Sequence, residues 1–236
     1  MIKAVFFDID DTLYHFTEAG RLAAREVERY VYENLGIGPD VWQDAAKKAQ
    51  ERIGARIGFD SPAIHNRQIR FQNALEILKQ PIYPHGTRLY QIYWDTVLNN
   101  AAAEPGAEAL LIRLKAKGIY LGIGSDMTSY IQNKKLEVLK LAEYFDSVVT
   151  SEEAGCDKPD SRIFHLCMEK AGCRAEECLF IGDNWKKDVA GACAAGMYSA
   201  CYSKYSKAPG WGDEWCMKSY EECIRGEKIR IGNLTI

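Results

Sequence analysis

The chain has 236 residues, of which 47% are hydrophobic and 27% charged, so it has enough apolar side chains for a packed core and is not a disordered chain. Its 30 basic and 33 acidic residues give a net charge of −3, which argues against a nucleic acid polymer as partner. We find no secretory leader and no apolar run near the roughly 20 residues of a membrane helix, so we expect a cytoplasmic protein with no membrane partner.

Short apolar runs alternate with helical patterns along most of the chain. The runs cover residues 2–7, 119–124, 147–150, 178–181 and 198–202. Continuous apolar runs of this length are typical of strands buried on both faces, so each predicts a strand. Between them, helical spacing predicts one helix within residues 105–118, one capped by Thr128 and one capped by Asp160. The alternation predicts an α/β fold, a parallel sheet with helices on both faces.

One long stretch interrupts this alternation. Residues 17–99 show only helical periodicity, with apolar positions that indicate four helices and no strand. We therefore predict an all-helical insert of residues 15–100 between the two parts of the sheet domain, residues 1–14 and 101–236. The segment after Lys204 is rich in glycine, tryptophan and charge, and we expect it to wrap the sheet domain.

Polar residues follow four of the predicted strands. Ligands of open α/β sheets bind at the carboxyl ends of the strands, so these residues are expected to share one edge. They are Asp8, Asp10 and Thr12 after the first strand, Ser125 and Asp126 after the second, Lys158 beyond the third, and Asp183, Asn184 and Asp188 after the fourth. The set predicts a reaction site at this edge.

The carboxylates of this set suit phosphoryl transfer through a covalent intermediate. An aspartate such as Asp8 can attack phosphorus and become an aspartyl phosphate. Asp10 would then protonate the leaving oxygen and later deprotonate water. A carboxylate attacking a phosphate dianion needs its charge neutralised, which Mg²⁺ bound by Asp8 and Asp183 would supply. Asp188 and Asn184 would bind the metal directly or orient its water.

The remaining residues of the set would hold the transferred group. Ser125 would donate a hydrogen bond to its oxygens, and Lys158 would contribute positive charge. We expect Thr12 and Asp126 either to contact the substrate or to support the side chains that do. Each motif alone also fits a turn or a helix cap, but the four together and in order favour an enzyme.

The motifs resemble those of a known superfamily. FFDIDDT, the strand ending in Ser125, Lys158-Pro159 and GDNWKKD look like the four ordered motifs of the haloacid dehalogenase superfamily. The resemblance implies a Rossmann-like three-layer core with a helical cap. It also implies Asp8 as nucleophile, Asp10 as general acid and base, and Mg²⁺ held by Asp8, the Asp10 backbone carbonyl and Asp183.

The position of the helical insert, after the first motif, resembles the phosphatase branch with phosphoglycolate phosphatases, nucleotidases and N-acylneuraminate-9-phosphatases. True dehalogenases lack the second aspartate of the first motif, which is present here as Asp10, so phosphate chemistry is favoured. The resulting hypothesis is a Mg²⁺-dependent phosphatase of a small phosphorylated metabolite, a sugar phosphate or nucleoside monophosphate, acting as a monomer or homodimer. The alternatives are a phosphomutase of the β-phosphoglucomutase type and a catalytically silent binding protein.

Overall fold

The structure is a computed structural model that describes residues 1–206, 215–226 and 228–236. The chain divides into two compact units. We call residues 1–15 with 102–236 the core unit, and residues 16–101 the helical unit. Within the described part of the chain, no helix is both long enough and apolar enough to cross a bilayer.

The helical unit is built from helices alone, as its periodicity predicts. Its α-helices are α1 (Phe16–Leu35), α2 (Pro39–Ile57), α3 (Arg67–Ile77) and α4 (His85–Asn99), and a short 3-10 turn covers Pro62–His65. Helix α1 buries four small or branched apolar side chains at intervals of four residues, Ala19, Ala23, Val27 and Val31. This spacing places them on one face of the helix. The main neighbour of α1 within the helical unit is α4.

The core unit contains a six-stranded parallel sheet, which confirms the predicted fold class. Its strands are β1 (Ala4–Phe7), β2 (Tyr120–Ser125), β3 (Ser147–Thr150), β4 (Cys178–Gly182), β5 (Tyr198–Tyr202) and β6 (Cys216–Met217), in the order β3-β2-β1-β4-β5-β6. Strand β1 begins at Ala4 rather than at the predicted residue 2. The reason is pairing, because the ladders of β1 with both neighbours start where Ala4 lies opposite Tyr120 and Cys178.

Helices flank this sheet, giving the three-layer arrangement. They are α5 (Ala107–Ala116), α6 (Ser129–Val138), α7 (Ser151–Ala154), α8 (Ser161–Ala171), α9 (Ala190–Ala194) and α10 (Tyr220–Cys223). Asp160 caps α8 as predicted, since its carboxylate accepts from the Arg162 N–H. The prediction that the Thr128 side chain caps α6 is wrong. Thr128 occupies the N-cap position of α6, but its side chain makes no capping bond, and the Ser129 N–H donates instead to Glu152 at 2.8 Å.

The segment after Lys204 is described only in part. The prediction that it wraps the core unit falls partly on residues 207–214 and 227, which lie outside the described residues. Its described part adds β6 beside β5 at the edge of the sheet and ends in an antiparallel pair, β7 (Arg230–Ile231) with β8 (Leu234–Thr235). All strands of the main sheet run parallel, so their carboxyl ends share one edge.

Candidate active site

Asp8 lies directly after β1, where its backbone N–H still bonds to the Ile181 carbonyl of β4 at 2.8 Å. The ladder therefore fixes the Asp8 backbone between the two central strands. Asp8 is buried, with 7% of the residue exposed. Two donors lie within hydrogen-bond distance of its carboxylate oxygen Oδ1. The Ser125 hydroxyl donates at 2.6 Å, and the Lys158 Nζ lies 2.9 Å away. The structure thus brings together residues that are separated by more than 100 positions in sequence.

Lys158 is a buried ammonium group among carboxylates. Its Nζ lies 2.7 Å from Asp188 Oδ1, and it donates to the Gly124 carbonyl at 3.1 Å. Burial alone would lower the pKa of Lys158, but the charges of Asp188 and Asp8 raise it well above the usual value. Lys158 is therefore charged at neutral pH and neutralises the buried acids around it.

Three carboxylates converge at this point. Asp8, Asp183 and Asp188 each offer an oxygen, and these oxygens all lie within 4.8 Å of one another. Asp188 reaches this position because residue 182 is a glycine, since a Cβ there would lie 2.3 Å from Asp188 Cγ. The Asn184 N–H then donates to Asp188 Oδ2 at 2.9 Å and orients the carboxylate.

The electrostatics of this cluster fit a divalent cation. Burial, followed by the charges of Asp8 and Asp188, raises the pKa of Asp183 to about 8. A carboxyl group with so high a pKa indicates a shortage of positive charge, although Lys158 already lies nearby. Clustered carboxylate oxygens are the ligands that Mg²⁺ prefers. The residues present therefore fit the metal, with Asp188 completing the set of clustered carboxylates.

Asp10 is not one of the three clustered carboxylates, and it is paired with a lysine that the sequence reasoning missed. Lys135 of α6 is fully buried, and its Nζ lies 2.6 Å and 2.8 Å from the two carboxylate oxygens of Asp10. The Nζ also lies 5.8 Å from the centroid of the Tyr14 ring. This ion pair fixes the orientation of the Asp10 side chain, which is 20% exposed.

We expect the Asp10–Lys135 pair to be coupled strongly enough to measure. Lys135→Met should lower the free energy of unfolding by about 2 kcal/mol, because it leaves a partly buried carboxylate without its counter-ion. Urea unfolding of Lys135→Met, Asp10→Asn and the double variant should give a coupling of about 1–3 kcal/mol. The neighbouring Lys134 has a side chain that is 41% exposed, and its ion pair among the described residues is with Glu137 on the same helix, so Lys134→Met is the matched control. Additive effects of the two substitutions would contradict the pairing.

The other predicted residues support the site rather than join the cluster. Asp126 accepts from the Lys158 backbone N–H at 2.8 Å and from Lys187 Nζ at 2.7 Å. It therefore holds the loop that carries Lys158. The exposed Asn184 caps a single π-helical turn, Trp185–Val189, through its side-chain oxygen, so this oxygen is engaged with the backbone. Thr12 is buried, and its carbonyl accepts from the Tyr220 hydroxyl at 3.1 Å.

Three residues at the site have roles that sequence reasoning missed. They are Lys135, Gln132 and Lys187; Gln132 donates to the Ser125 hydroxyl at 2.7 Å. The signal for the first two was available, because Gln132 and Lys135 lie on the buried face of α6 with Ile131 and Leu136. A polar residue on an apolar helix face requires a polar partner. For Lys187 there is no comparable signal, since a lysine in a polar turn is usually solvated.

Comparison with known proteins decides the family. The family model of the haloacid dehalogenase-like hydrolases matches residues 2–196. The chain belongs to the haloacid dehalogenase-like hydrolase family. The predicted resemblance is therefore confirmed, and with it the prediction of a hydrolase.

Among sequence relatives, a ribulose-1,5-bisphosphate 5-phosphatase of Halopiger xanaduensis is 32% identical over 86% of this chain and 85% of that protein. A glyceraldehyde 3-phosphate phosphatase of Methanothermobacter thermautotrophicus is 30% identical over 84% of each chain. These relatives place the chain in the phosphatase branch of the haloacid dehalogenase-like hydrolases.

Solved structures of the family share the fold. A phosphatase of the family from Thermococcus onnurineus superposes with a TM-score of 0.72 at 24% identity, covering 94% of this chain and 95% of that one. A 2-haloacid dehalogenase from Pseudomonas syringae gives a TM-score of 0.76 at 24% identity, with 94% and 96% covered. Both reactions therefore occur on this fold, and the fold alone does not choose between them.

Proposed function

We propose that this hydrolase is a Mg²⁺-dependent phosphatase of a small sugar phosphate, acting through an aspartyl phosphate on Asp8. The observation that carries the proposal is the setting of the Asp8 carboxylate. It is buried, oriented by Ser125 and Lys158, and adjacent to the carboxylates of Asp183 and Asp188. The names of the relatives, which act on ribulose bisphosphate and glyceraldehyde 3-phosphate, support a sugar phosphate over a nucleotide.

In the first step, an Asp8 carboxylate oxygen attacks phosphorus, and the bond from phosphorus to the ester oxygen breaks. The Ser125 hydroxyl and the Lys158 ammonium group orient the attacking carboxylate, and Lys158 is itself held by its bond to the Gly124 carbonyl. This orientation lowers the entropic part of the activation barrier. The same ammonium group is placed to offset negative charge on the phosphoryl oxygens. The leaving oxygen takes its proton from Asp10 and departs as the alcohol of the sugar.

In the second step, Asp10 accepts a proton from water while the water oxygen attacks phosphorus. The acyl phosphate bond breaks, inorganic phosphate leaves, and Asp8 returns to its carboxylate form. The two contacts with the buried Lys135 Nζ hold the Asp10 carboxylate in one orientation through both steps. We therefore assign Lys135 as a positioning residue that acts through Asp10.

Asp8, Asp183 and Asp188 would hold Mg²⁺, together with the Asp10 backbone carbonyl that the family resemblance implies. The ion would supply positive charge where the phosphate dianion and the nucleophile meet. We also propose that the helical unit is the cap of this enzyme, with the role of excluding bulk water while the substrate is bound.

The test is phosphate release from glyceraldehyde 3-phosphate, ribulose 1,5-bisphosphate, glucose 1-phosphate and a nucleoside monophosphate. We expect release that requires Mg²⁺ and is fastest with one of the sugar phosphates. Isomerised sugar phosphate with little free phosphate would overturn the phosphatase in favour of a phosphomutase. No turnover of any of these compounds would favour a binding protein that keeps the fold.

Metal binding has its own prediction. Mg²⁺ at about 100 times its Kd should add about 2.7 kcal/mol to the free energy of unfolding, because it binds only the folded carboxylate cluster. Asp183→Asn should abolish most of this gain in urea unfolding. The exposed Asp44 forms an ion pair with Lys48 one helical turn away, so Asp44→Asn is the matched control and should keep the gain.

The same comparison in EDTA separates a lost ligand from a damaged fold. There, Asp183→Asn should be at least as stable as the wild type, since it removes one of three clustered acids. Equal Mg²⁺ stabilisation of wild type and Asp183→Asn would contradict the metal assignment.

A further inference from the structure

Two arginines of the helical unit lie side by side at the start of α3. Arg67 and Arg70 are three residues apart, so their side chains project from the same helix face. The Arg67 Nη2 donates to the Tyr93 hydroxyl at 3.2 Å, and its guanidinium carbon lies 4.8 Å from the centroid of the Tyr93 ring. The Arg70 Nη2 donates to the Ile64 carbonyl at 3.1 Å. Neutral groups thus hold both guanidinium groups in place.

These contacts leave the two charges without a counter-ion. Among the residues that the structure describes, neither guanidinium group pairs with a carboxylate, and the buried Nε of each has no hydrogen-bond partner. Burial, and then the charge of Arg67, lowers the pKa of Arg70 to about 9, so Arg70 remains charged at neutral pH. Buried N–H donors and like charges at close range both cost free energy. A bound anion would supply the counter-charge that the two guanidinium groups lack.

The helical unit has space for such an anion. A cavity of about 270 Å³ is lined by both arginines and by residues of all four helices of the unit. Trp42, Phe71 and Tyr93 contribute apolar and aromatic surface, whereas Glu28 and Gln43 contribute a polar side. The Glu28 carboxylate accepts from the Gln43 amide at 2.7 Å, and within the described residues it forms no ion pair with either arginine.

We propose that Arg67 and Arg70 form an oxyanion-binding site in the helical unit, which takes the phosphate or carboxylate group of a small molecule. The planar guanidinium group matches the geometry of both oxyanions, and its N–H donors can bind two oxygens at once. The aromatic side of the cavity would contact the carbon skeleton of the ligand. This site uses none of the residues assigned to phosphoryl transfer.

The direct test observes the Nε–H groups themselves. In a ¹H–¹⁵N spectrum of the full chain in EDTA, the two arginine Nε–H signals are assigned by their loss in Arg67→Lys and Arg70→Lys. Titration with inorganic phosphate, and separately with malonate, should shift both signals saturably. Arg70→Lys keeps the positive charge but loses the planar set of guanidinium donors. The remaining Arg67 signal should therefore report an affinity for the anion that is about tenfold weaker.

Arg52 lies in the same unit but is exposed and paired with Glu76, so Arg52→Lys should leave the anion affinity unchanged. Circular dichroism of each variant checks that the helices remain folded. The site is disproved if both signals stay in place, or if they shift linearly and no more than that of Arg52. The binding test needs no turnover, so it succeeds or fails independently of the phosphatase proposal.

A kinetic comparison then identifies the source of the anion. If it is a second anionic group of the substrate, Arg70→Lys should lower kcat/KM for ribulose 1,5-bisphosphate about tenfold relative to glyceraldehyde 3-phosphate. If it is a separate molecule, that ratio stays constant while the spectroscopic titration still shows binding. Either result supports the site, and each assigns it a different ligand.

Discussion

Replacing Asp8 by asparagine is expected to lower phosphate release by about four orders of magnitude or more, because it removes the nucleophile of the reaction. The amide has nearly the same shape as the carboxylate and still accepts from the Ser125 hydroxyl, which lies 2.6 Å from Asp8 Oδ1. The loss should therefore appear in kcat rather than in the fold. Steady-state phosphate release with Mg²⁺, beside a urea unfolding curve, measures both.

The matched control is Asp44→Asn, the same chemical change at an exposed position of the helical unit. It should leave kcat and KM unchanged. A variant Asp8→Asn that retained a tenth or more of the wild-type kcat would contradict the nucleophile assignment, whatever the substrate. A similar loss in both variants would point instead to an effect on folding or preparation.

Replacing Lys158 by methionine is expected to abolish turnover and to cost about 3–5 kcal/mol of stability in EDTA, because it leaves buried carboxylates without their counter-ion. Lys158 Nζ lies within 3 Å of both Asp8 and Asp188. Its backbone N–H bond to Asp126 is unaffected by the substitution, so the loop keeps one of its anchors. Urea unfolding in EDTA and in Mg²⁺ measures the change.

Mg²⁺ should restore part of the lost stability in Lys158→Met, since it supplies positive charge to the same carboxylates. It should not restore turnover, because the charge that holds the phosphoryl oxygens is still missing. The exposed Lys117, at the end of α5, provides the control, and Lys117→Met should change stability by less than about 0.5 kcal/mol. An equally stable Lys158→Met in EDTA would contradict the role of this lysine as counter-ion.

The sequence predicted the fold and the edge of the sheet where the candidate residues meet, because both follow from short-range patterns. The five apolar runs predicted the first five strands, and parallel strands place their carboxyl ends at one edge. Asp8, Ser125, Lys158 and Asp188 are in contact for that reason. Strand β6 has only two residues, too few for a pattern to be recognised.

What the sequence did not predict are contacts set by tertiary packing. Lys135 and Asp10 are 125 positions apart, and no local pattern connects them. The sequence pattern predicts the same role at the metal for Asn184 and Asp188. The structure separates them, because Asp188 passes over Gly182 into the cluster whereas the Asn184 side chain caps the turn. Likewise, only the packing of the helical unit shows that the Nε–H groups of Arg67 and Arg70 are buried without a hydrogen-bond partner among the described residues.

The most direct test of the central claim is to trap the phosphorylated enzyme. Enzyme mixed with its best sugar phosphate and Mg²⁺ is quenched in acid within milliseconds, reduced with borohydride, digested and examined by mass spectrometry. We predict that the aspartyl phosphate is reduced to homoserine at position 8, and that Asp8→Asn shows no such product. Modification at another residue, or rapid phosphate release with an unmodified Asp8 at every quench time, would contradict it.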